Sequence, residues 1–309
     1  MTRTAGRVGP LVLAAVLTAG LLACSGMSAV HPTPAAPDPT TPAKDSSPAS
    51  APTTPATAPT AQAAAAGWRL EFTGPAGEGP PAGFFTARVG GNGWGNHELQ
   101  SYTARPANAA LDGAGHLVLH ARREHYRGAD GFTREWTSAR LDTLGKWAFR
   151  TGTLSLRVSA PAAAGTWPAL WLMGSDIVTV GWPRCGELDI AELVGASGLV
   201  HHTVHGPAAG GRPYAQPARP VSARTRLADP AAFHVYSVTR TARRITFRVD
   251  GRVTGRLTPA NLRAGQRWVF DEPMFLTVNL AIGGWPGAPT AATPADERLV
   301  VDWIGYQPA

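Results

Sequence analysis

From Trp68 onward, hydrophobic and polar positions alternate in short runs bounded by Gly, Pro, Asn or Asp, the pattern of strands with one buried face. Residues 116–121, 152–158, 233–238, 244–249, 274–280 and 299–304 all read this way. No long stretch carries a helical period. Asp250-Gly251, set between the strand-like runs 244–249 and 252–257, predicts a two-residue type I′ hairpin, whose turn needs positive φ at both positions. Asp229-Pro230-Ala-Ala-Phe233 reads as one helical turn, with Asp229 as cap and Pro230 at its first position. Many short strands, frequent turns and no alternating helices imply an all-β fold in which two antiparallel sheets pack as a sandwich.

The first residues follow a different pattern. Arg3 and Arg7 precede an apolar run at 11–23, too short to span a bilayer and of signal-peptide length. The run ends Leu21-Leu22-Ala23-Cys24, which resembles the bacterial lipobox and implies a lipid anchor on Cys24 at the outer membrane face; a plain secretory signal is the alternative. Residues 29–66 are Pro, Ala, Thr and Ser with almost no bulky side chains, so they cannot bury enough apolar surface to fold and read as a tether. The expected organisation is a signal segment at 1–24, a disordered linker at 25–66 and a single folded domain at 67–309, secreted or held at the cell surface.

The only cysteines are Cys24 and Cys185, so the domain has no internal disulfide and its stability must come from its core. Setting aside the three basic and two acidic residues before it, from totals of 28 and 21, leaves the domain a surplus of six positive charges. No arginine run interleaved with aromatics accompanies that charge, so the sequence offers no nucleic-acid partner, and a monomer is expected.

The candidate chemistry lies in Gly186-Glu-Leu-Asp-Ile-Ala-Glu192. In a regular strand Glu187 and Asp189 share a face while Glu192 falls on the other. A β-bulge near Ile190-Ala191 would return Glu192 to their side. Three neighbouring carboxylates repel one another, so at least one should hold a proton near neutral pH. Glycoside hydrolysis needs that arrangement: one carboxylate attacks, a protonated one donates to the leaving oxygen, and a retaining enzyme sets them about 5–5.5 Å apart. The backbones of the outer two are roughly 13 Å apart along the strand, so their side chains must lean inward. Taken alone, the acids read equally as a solvated strand face or a cation site. Gly165-Thr-Trp-Pro-Ala-Leu-Trp-Leu-Met-Gly174 and Trp182-Pro-Arg-Cys-Gly186 bring aromatics close in sequence, and flat rings suit sugar C–H faces. His201-His202-Thr-Val-His205 raises the question of zinc, but His202 points away from the other two on a strand, and no matching Cys or second His pair is available.

With these residues assembled, the segment Glu187-Leu-Asp-Ile-Ala-Glu192 resembles the E-x-D-x-x-E signature of glycoside hydrolase family 16, in its bulged, laminarinase-like form. Trp94-Gly-Asn-His-Glu-Leu-Gln-Ser-Tyr-Thr103, Thr137-Ser-Ala-Arg-Leu141, Trp167-Pro-Ala-Leu-Trp171, Asn279-Leu-Ala-Ile-Gly-Gly-Trp-Pro-Gly287 and Val301-Asp-Trp303 follow in the family's order. The resemblance implies a concanavalin A-like β-jelly-roll with a substrate groove on its concave sheet. It also implies retaining endo-hydrolysis of β-1,3-glucan, with mixed-linkage glucan as a second candidate substrate. By position, Glu187 would be the nucleophile, Asp189 the residue that tunes and orients, and Glu192 the acid/base. Asn96, Arg140, Trp167, Trp171, Trp182, His205 and Trp285 would contact the polysaccharide. No catalytic cofactor is implied; a structural calcium would fall to Glu71, Gly115 and Asp302. Thr239 and Arg240 stand where the family usually has an acid and a tryptophan. A glucan-binding lipoprotein without turnover, a transglycosylase and an enzyme for another polysaccharide are the competing readings. Intact acids argue against the first.

Overall fold

The computed structural model describes residues 67–217 and 225–309. The signal, lipobox and linker expected at 1–66 lie outside the described residues. Within them the chain forms β1 (Trp68–Glu71), β2 (Thr86–Ala87), β3 (Ser101–Tyr102), β4 (Ala109–Leu111), β5 (Leu117–Arg127), β6 (Thr133–Ser138), β7 (Arg140–Asp142), β8 (Ala148–Phe149) and β9 (Gly152–Ser159). There follow β10 (Thr166–Gly174), β11 (Glu187–Leu193), β12 (Leu199–Pro207), β13 (Pro213–Pro217), β14 (Thr225–Arg226), β15 (His234–Thr241), β16 (Arg244–Val249), β17 (Arg252–Leu257), β18 (Met274–Ile282) and β19 (Asp296–Gln307).

Two sheets result. The first runs β17-β16-β15-β9-β19-β5-β6-β3, with β1 on β19 and β4 on β5; the second runs β13-β12-β11-β10-β18-β7-β2, with β14 on β12 and β8 on β18. Every pairing is antiparallel except β3 with β6. Alternation does the layering: in β9, Gly152, Leu154, Leu156 and Val158 are buried while the residues between them are half-exposed. Leu154, Leu156 and Phe247 of the first sheet share the core with Leu172, Leu188 and Val278 of the second. β18 is buried on both faces, because a smaller apolar cluster of Ala169, Trp171, Met173, Cys185 and Phe275 covers its other side. The two packed antiparallel sheets are those the alternation predicts, and the β-jelly-roll is the form the resemblance implies.

β16 and β17 occupy the expected ranges, and the turn between them has φ of 49° at Asp250 and 75° at Gly251, the type I′ signature. Residues 229–232 form a hydrogen-bonded turn instead of a helix. Asp229 still caps it, its Oδ1 accepting from the Ala231 N–H at 3.0 Å.

Arg240, one of the departures from the family, is fully buried. Its guanidinium donates to the carbonyls of Phe149 (2.6 Å), Phe270 (2.7 Å) and Glu272 (2.7 Å). Burial lowers its pKa to about 10. The loop it ties down closes against Gly186, where an added Cβ would meet Val269 Cγ2 at 3.0 Å and the Phe270 ring at 3.3 Å. A residue placed in doubt by its identity thus anchors the ground beneath the acidic strand.

Candidate active site

β11 carries the three acids in the middle of the second sheet. Asp189 pairs with Thr203 and Glu192 with His201, so three steps on β11 match two on β12. One extra residue is accommodated at Ile190-Ala191, which is the expected bulge. Leu188, Ile190 and Ala191 face the core at 0% exposure, leaving Glu187, Asp189 and Glu192 on the opposite face.

Residues directly across from one another share a face, so the pairing identifies the neighbours. Glu187 lies between Met173 and His205, Asp189 between Trp171 and Thr203, and Glu192 between Ala169 and His201. Each outer acid also has its own indole. Trp182 Nε1 donates to Glu187 Oε2 at 2.8 Å, and Trp167 Nε1 donates to Glu192 Oε1 at 3.1 Å. His205 Nε2 stands 3.3 Å from Asp189 Oδ2.

The electrostatics follow from burial among like charges. Burial raises the Glu187 carboxyl to about 7, with Asp189 adding to the shift and His205, the Trp182 N–H and Arg140 opposing it. Burial, with Asp189 and then Glu187, holds Glu192 well above the carboxylate range against His205 and the Trp167 N–H. For His205, burial works against the charge, but Glu187 and Asp189 outweigh it and raise the imidazolium to about 10. The site therefore holds a protonated histidine against the central acid.

The remaining expected residues divide. Trp285 is 52% exposed, edge-on to Trp167 at 5.9 Å and 4.7 Å from the His201 ring, an aromatic wall beside Glu192. Trp171 is 8% exposed and forms the floor, its Nε1 donating to Asn279 Oδ1 at 2.7 Å. Arg140 lies between the rings of Trp94 and Trp171, at 4.6 and 4.7 Å from their centroids. Asn96 is exposed, with its Nδ2 donating to Glu98 Oε1 at 3.2 Å. His202 turns away as expected, bonding the Ile190 carbonyl at 2.6 Å and stacking on Phe247; burial lowers it to about 4.

Two places bear on metals. Ligand atoms of Glu187, Asp189 and His205 lie within 4.8 Å of one another. At the expected calcium trio, Arg69 takes the Glu71 carboxylate and Arg157 takes that of Asp302. A cation there would have to displace both guanidinium groups, which hold these carboxylates only through part-exposed ion pairs.

The family model for glycosyl hydrolases family 16 matches residues 99–305. The chain belongs to this family. It is 39% identical over 228 residues to a beta-glucanase of Rhodothermus marinus, an alignment covering 70% of this chain and 76% of that protein. The catalytic domain of an endo-1,3-beta-glucanase (laminarinase) from Thermotoga petrophila superposes with a TM-score of 0.68 at 35% identity, covering 78% of this chain and 96% of that one. An endo-1,3-1,4-beta-glycanase of Rhizobium meliloti is 29% identical over 241 residues, 75% of this chain, which spans about half of it at 48%. This glycoside hydrolase is thus similar to enzymes of the laminarinase-like branch.

Reading from sequence did not find the polar layer under the floor. Glu98, Tyr102 and Asn279 hydrogen-bond around Trp171, and Trp94 closes over Arg140. Asn96, Glu98, Gln100 and Tyr102 alternate at period two, which was the available signal, but a charged residue in a polar run gives no sign of burial.

Proposed function

We propose that the chain is a retaining endo-β-1,3-glucanase, with Glu187 as nucleophile and Glu192 as acid/base, exported and held at the cell surface. The observation that carries this reading is geometric: the bulge sets Glu187 and Glu192 on one face with Asp189 between them, each outer carboxyl bonded by its own indole, and burial raises both, Glu192 well above the carboxylate range. A carboxyl that stays protonated suits the acid, and one that ionises earlier suits the nucleophile.

The hydrogen bonds assign the oxygens. Trp182 occupies Glu187 Oε2, leaving Oε1 for the anomeric carbon; Trp167 occupies Glu192 Oε1, leaving the proton on Oε2. In the first step the Glu187 oxygen forms its bond to the anomeric carbon as the glycosidic bond breaks, and the Glu192 proton passes to the leaving oxygen. In the second, the Glu192 carboxylate takes a proton from water as that water displaces Glu187. Asp189 sits against His205 and adds to the rise of the Glu192 carboxyl, which favours the proton on Glu192 between cycles.

The β-1,3 linkage is supported by the named activities of the relatives, and mixed-linkage activity by the Rhizobium meliloti glycanase. Incubation with laminarin, curdlan, mixed-linkage and sulfated glycans, followed by product sizing, tests substrate and endo mode together. New reducing ends and short oligosaccharides from laminarin are expected, and none from Glu187→Gln at unchanged fold. Binding without turnover by the unaltered chain would refute the reading, and a trapped glycosyl adduct on any residue but Glu187 would refute the role order.

A further inference from the structure

The middle histidine of β12 lies on the opposite face from the row of acids. His202 is 9% exposed and faces the core with Val200 and Val204, while its strand neighbours His201 and Thr203 are half-exposed. Its ring lies between two irregularities, one in each sheet. On β11, Asp189 pairs with Thr203 and Glu192 with His201, so Ile190 and Ala191 together lie across from His202 alone. On β17, Gly255 pairs with Phe247 and Val253 with Arg248, so Thr254 is the extra residue of a second bulge.

The imidazole joins the two. Nδ1 is 2.6 Å from the Ile190 carbonyl oxygen, Nε2 is 2.8 Å from Thr254 Oγ1, and the ring stacks on Phe247 at 4.8 Å and 17°. A carbonyl can only accept, so Nδ1 carries a proton. Burial lowers the imidazole to about 4, so at neutral pH that proton is its only one, and Nε2 accepts from the Thr254 hydroxyl. Both polar ends of the ring are bonded and its plane is fixed.

The bond to Ile190 falls on the peptide that takes up the extra residue of the acidic strand. A bulge disrupts the ladder locally, and rotation of the Ile190–Ala191 peptide would re-aim the Glu192 side chain that follows. Glu187 and Asp189 precede the bulge, where the register of β11 with β12 is regular. Glu192 is therefore the acid whose aim depends on this peptide. Trp167 holds its carboxyl from the groove side at 3.1 Å, and His202 holds the backbone before it from the core side.

We infer that His202 is a positioning residue for Glu192: its Nδ1–H holds the Ile190 carbonyl and, braced by Thr254 and Phe247, fixes the bulge that presents the acid/base carboxyl. This rests on the reading of Glu192 as the acid/base.

His202→Leu removes the donor and keeps an apolar body. With laminarin, kcat should fall about tenfold with KM changed by less than about twofold, because a misplaced acid weakens the transition state and not binding. A dinitrophenyl β-laminaribioside has a leaving group that departs without a proton, so its kcat/KM should fall by less than about twofold in the same variant. His202→Asn places an amide N–H where Nδ1 stands and should recover most of kcat on laminarin. His202→Gln reaches Thr254 instead and should not. Wild-type kcat in His202→Leu, or an equal loss on both substrates, would overturn the inference. If His202→Leu does not fold, the Asn and Gln variants decide, and equal kcat in the two overturns it. The ring nitrogen shifts of His202 in the wild type, read by NMR, should give the Nδ1–H tautomer at neutral pH; a proton on Nε2 overturns the pairing with Ile190. That measurement needs no substrate, so it stands even if laminarin is not cleaved.

Discussion

The two indole N–H groups at the acids allow the assignment of roles to be tested without touching either acid. Trp182→Phe keeps a ring and removes the donor to Glu187 Oε2. That bond favours the ionised form, so its loss raises the Glu187 pKa further above about 7. A hydrogen bond to a charged group is worth about 1.5–3 kcal/mol, which at 1.36 kcal/mol per unit gives a shift of roughly one to two pH units. Glu187 acts as an anion, so the acidic limb of kcat/KM should move up by that amount while the alkaline limb stays, narrowing the bell from the left. Trp167→Phe removes the donor to Glu192 Oε1 and raises the pKa of the group that must carry a proton. There the alkaline limb should move up and the acidic limb stay. The limbs are macroscopic values of a coupled set, so the test is which limb moves, measured by initial rates on laminarin across pH. If Trp182→Phe moves the alkaline limb and Trp167→Phe the acidic one, the roles of Glu187 and Glu192 are reversed; if neither limb moves, the hydrogen bonds do not tune the acids.

Stability offers two further checks. Glu187→Gln should stabilise the fold at pH 8, because a buried carboxyl raised from 4.5 to about 7 costs about 3 kcal/mol once ionised; well below pH 4.5, where both states are protonated, the difference should vanish. Thermal melts at the two pH values test this, and an equal Tm difference at both would count against it. Arg240→Met leaves the Phe149, Phe270 and Glu272 carbonyls without their donor and should destabilise by about 3 kcal/mol, a Tm lower by roughly 6–12 °C. An unchanged melt would show that the buried guanidinium contributes nothing net.

The two-sheet fold was legible because β-sheets write their layering into sequence at period two: β16 and β17 fall at their expected limits, and the Asp250-Gly251 turn followed from the need for positive φ. The site was legible for a related reason. Three acids that violate the period can share a face only through a bulge, and Ile190-Ala191 supplies it. What the sequence hid is long-range. Arg240 enters only as a departure from the family's pattern, and the carbonyls of residues 30 and more positions away explain it. Glu71 and Asp302 read as cation ligands until Arg69 and Arg157 are placed against them. Glu98 looked like one polar residue in a polar run, since its burial depends on β18 closing over it.

The bulge and the protonation pattern are one device. A regular strand would send Glu192 into the core and spare the acids their repulsion; inserting one residue brings the charges together, so that the central acid adds to the shifts that burial imposes on both sides. Asp189 raises Glu187 and is the foremost charge raising Glu192. Asp189→Asn should therefore lower both pKa values, and the whole bell of kcat/KM should move toward acid, both limbs together, where each tryptophan variant moves only one. At neutral pH activity should then fall, because Glu192 loses its proton earlier, and it should be recovered in part at lower pH. His205 loses its close partner too, and its imidazolium falls from about 10, since Asp189 is one of the groups holding it up. That change acts in the opposite direction, because a neutral His205 no longer favours the ionised carboxylates. Asp189→Asn with His205→Gln should therefore restore much of the alkaline limb lost in Asp189→Asn alone. A bell that stays in place in Asp189→Asn, with activity lost at every pH, would mean that Asp189 acts through geometry and not through its charge.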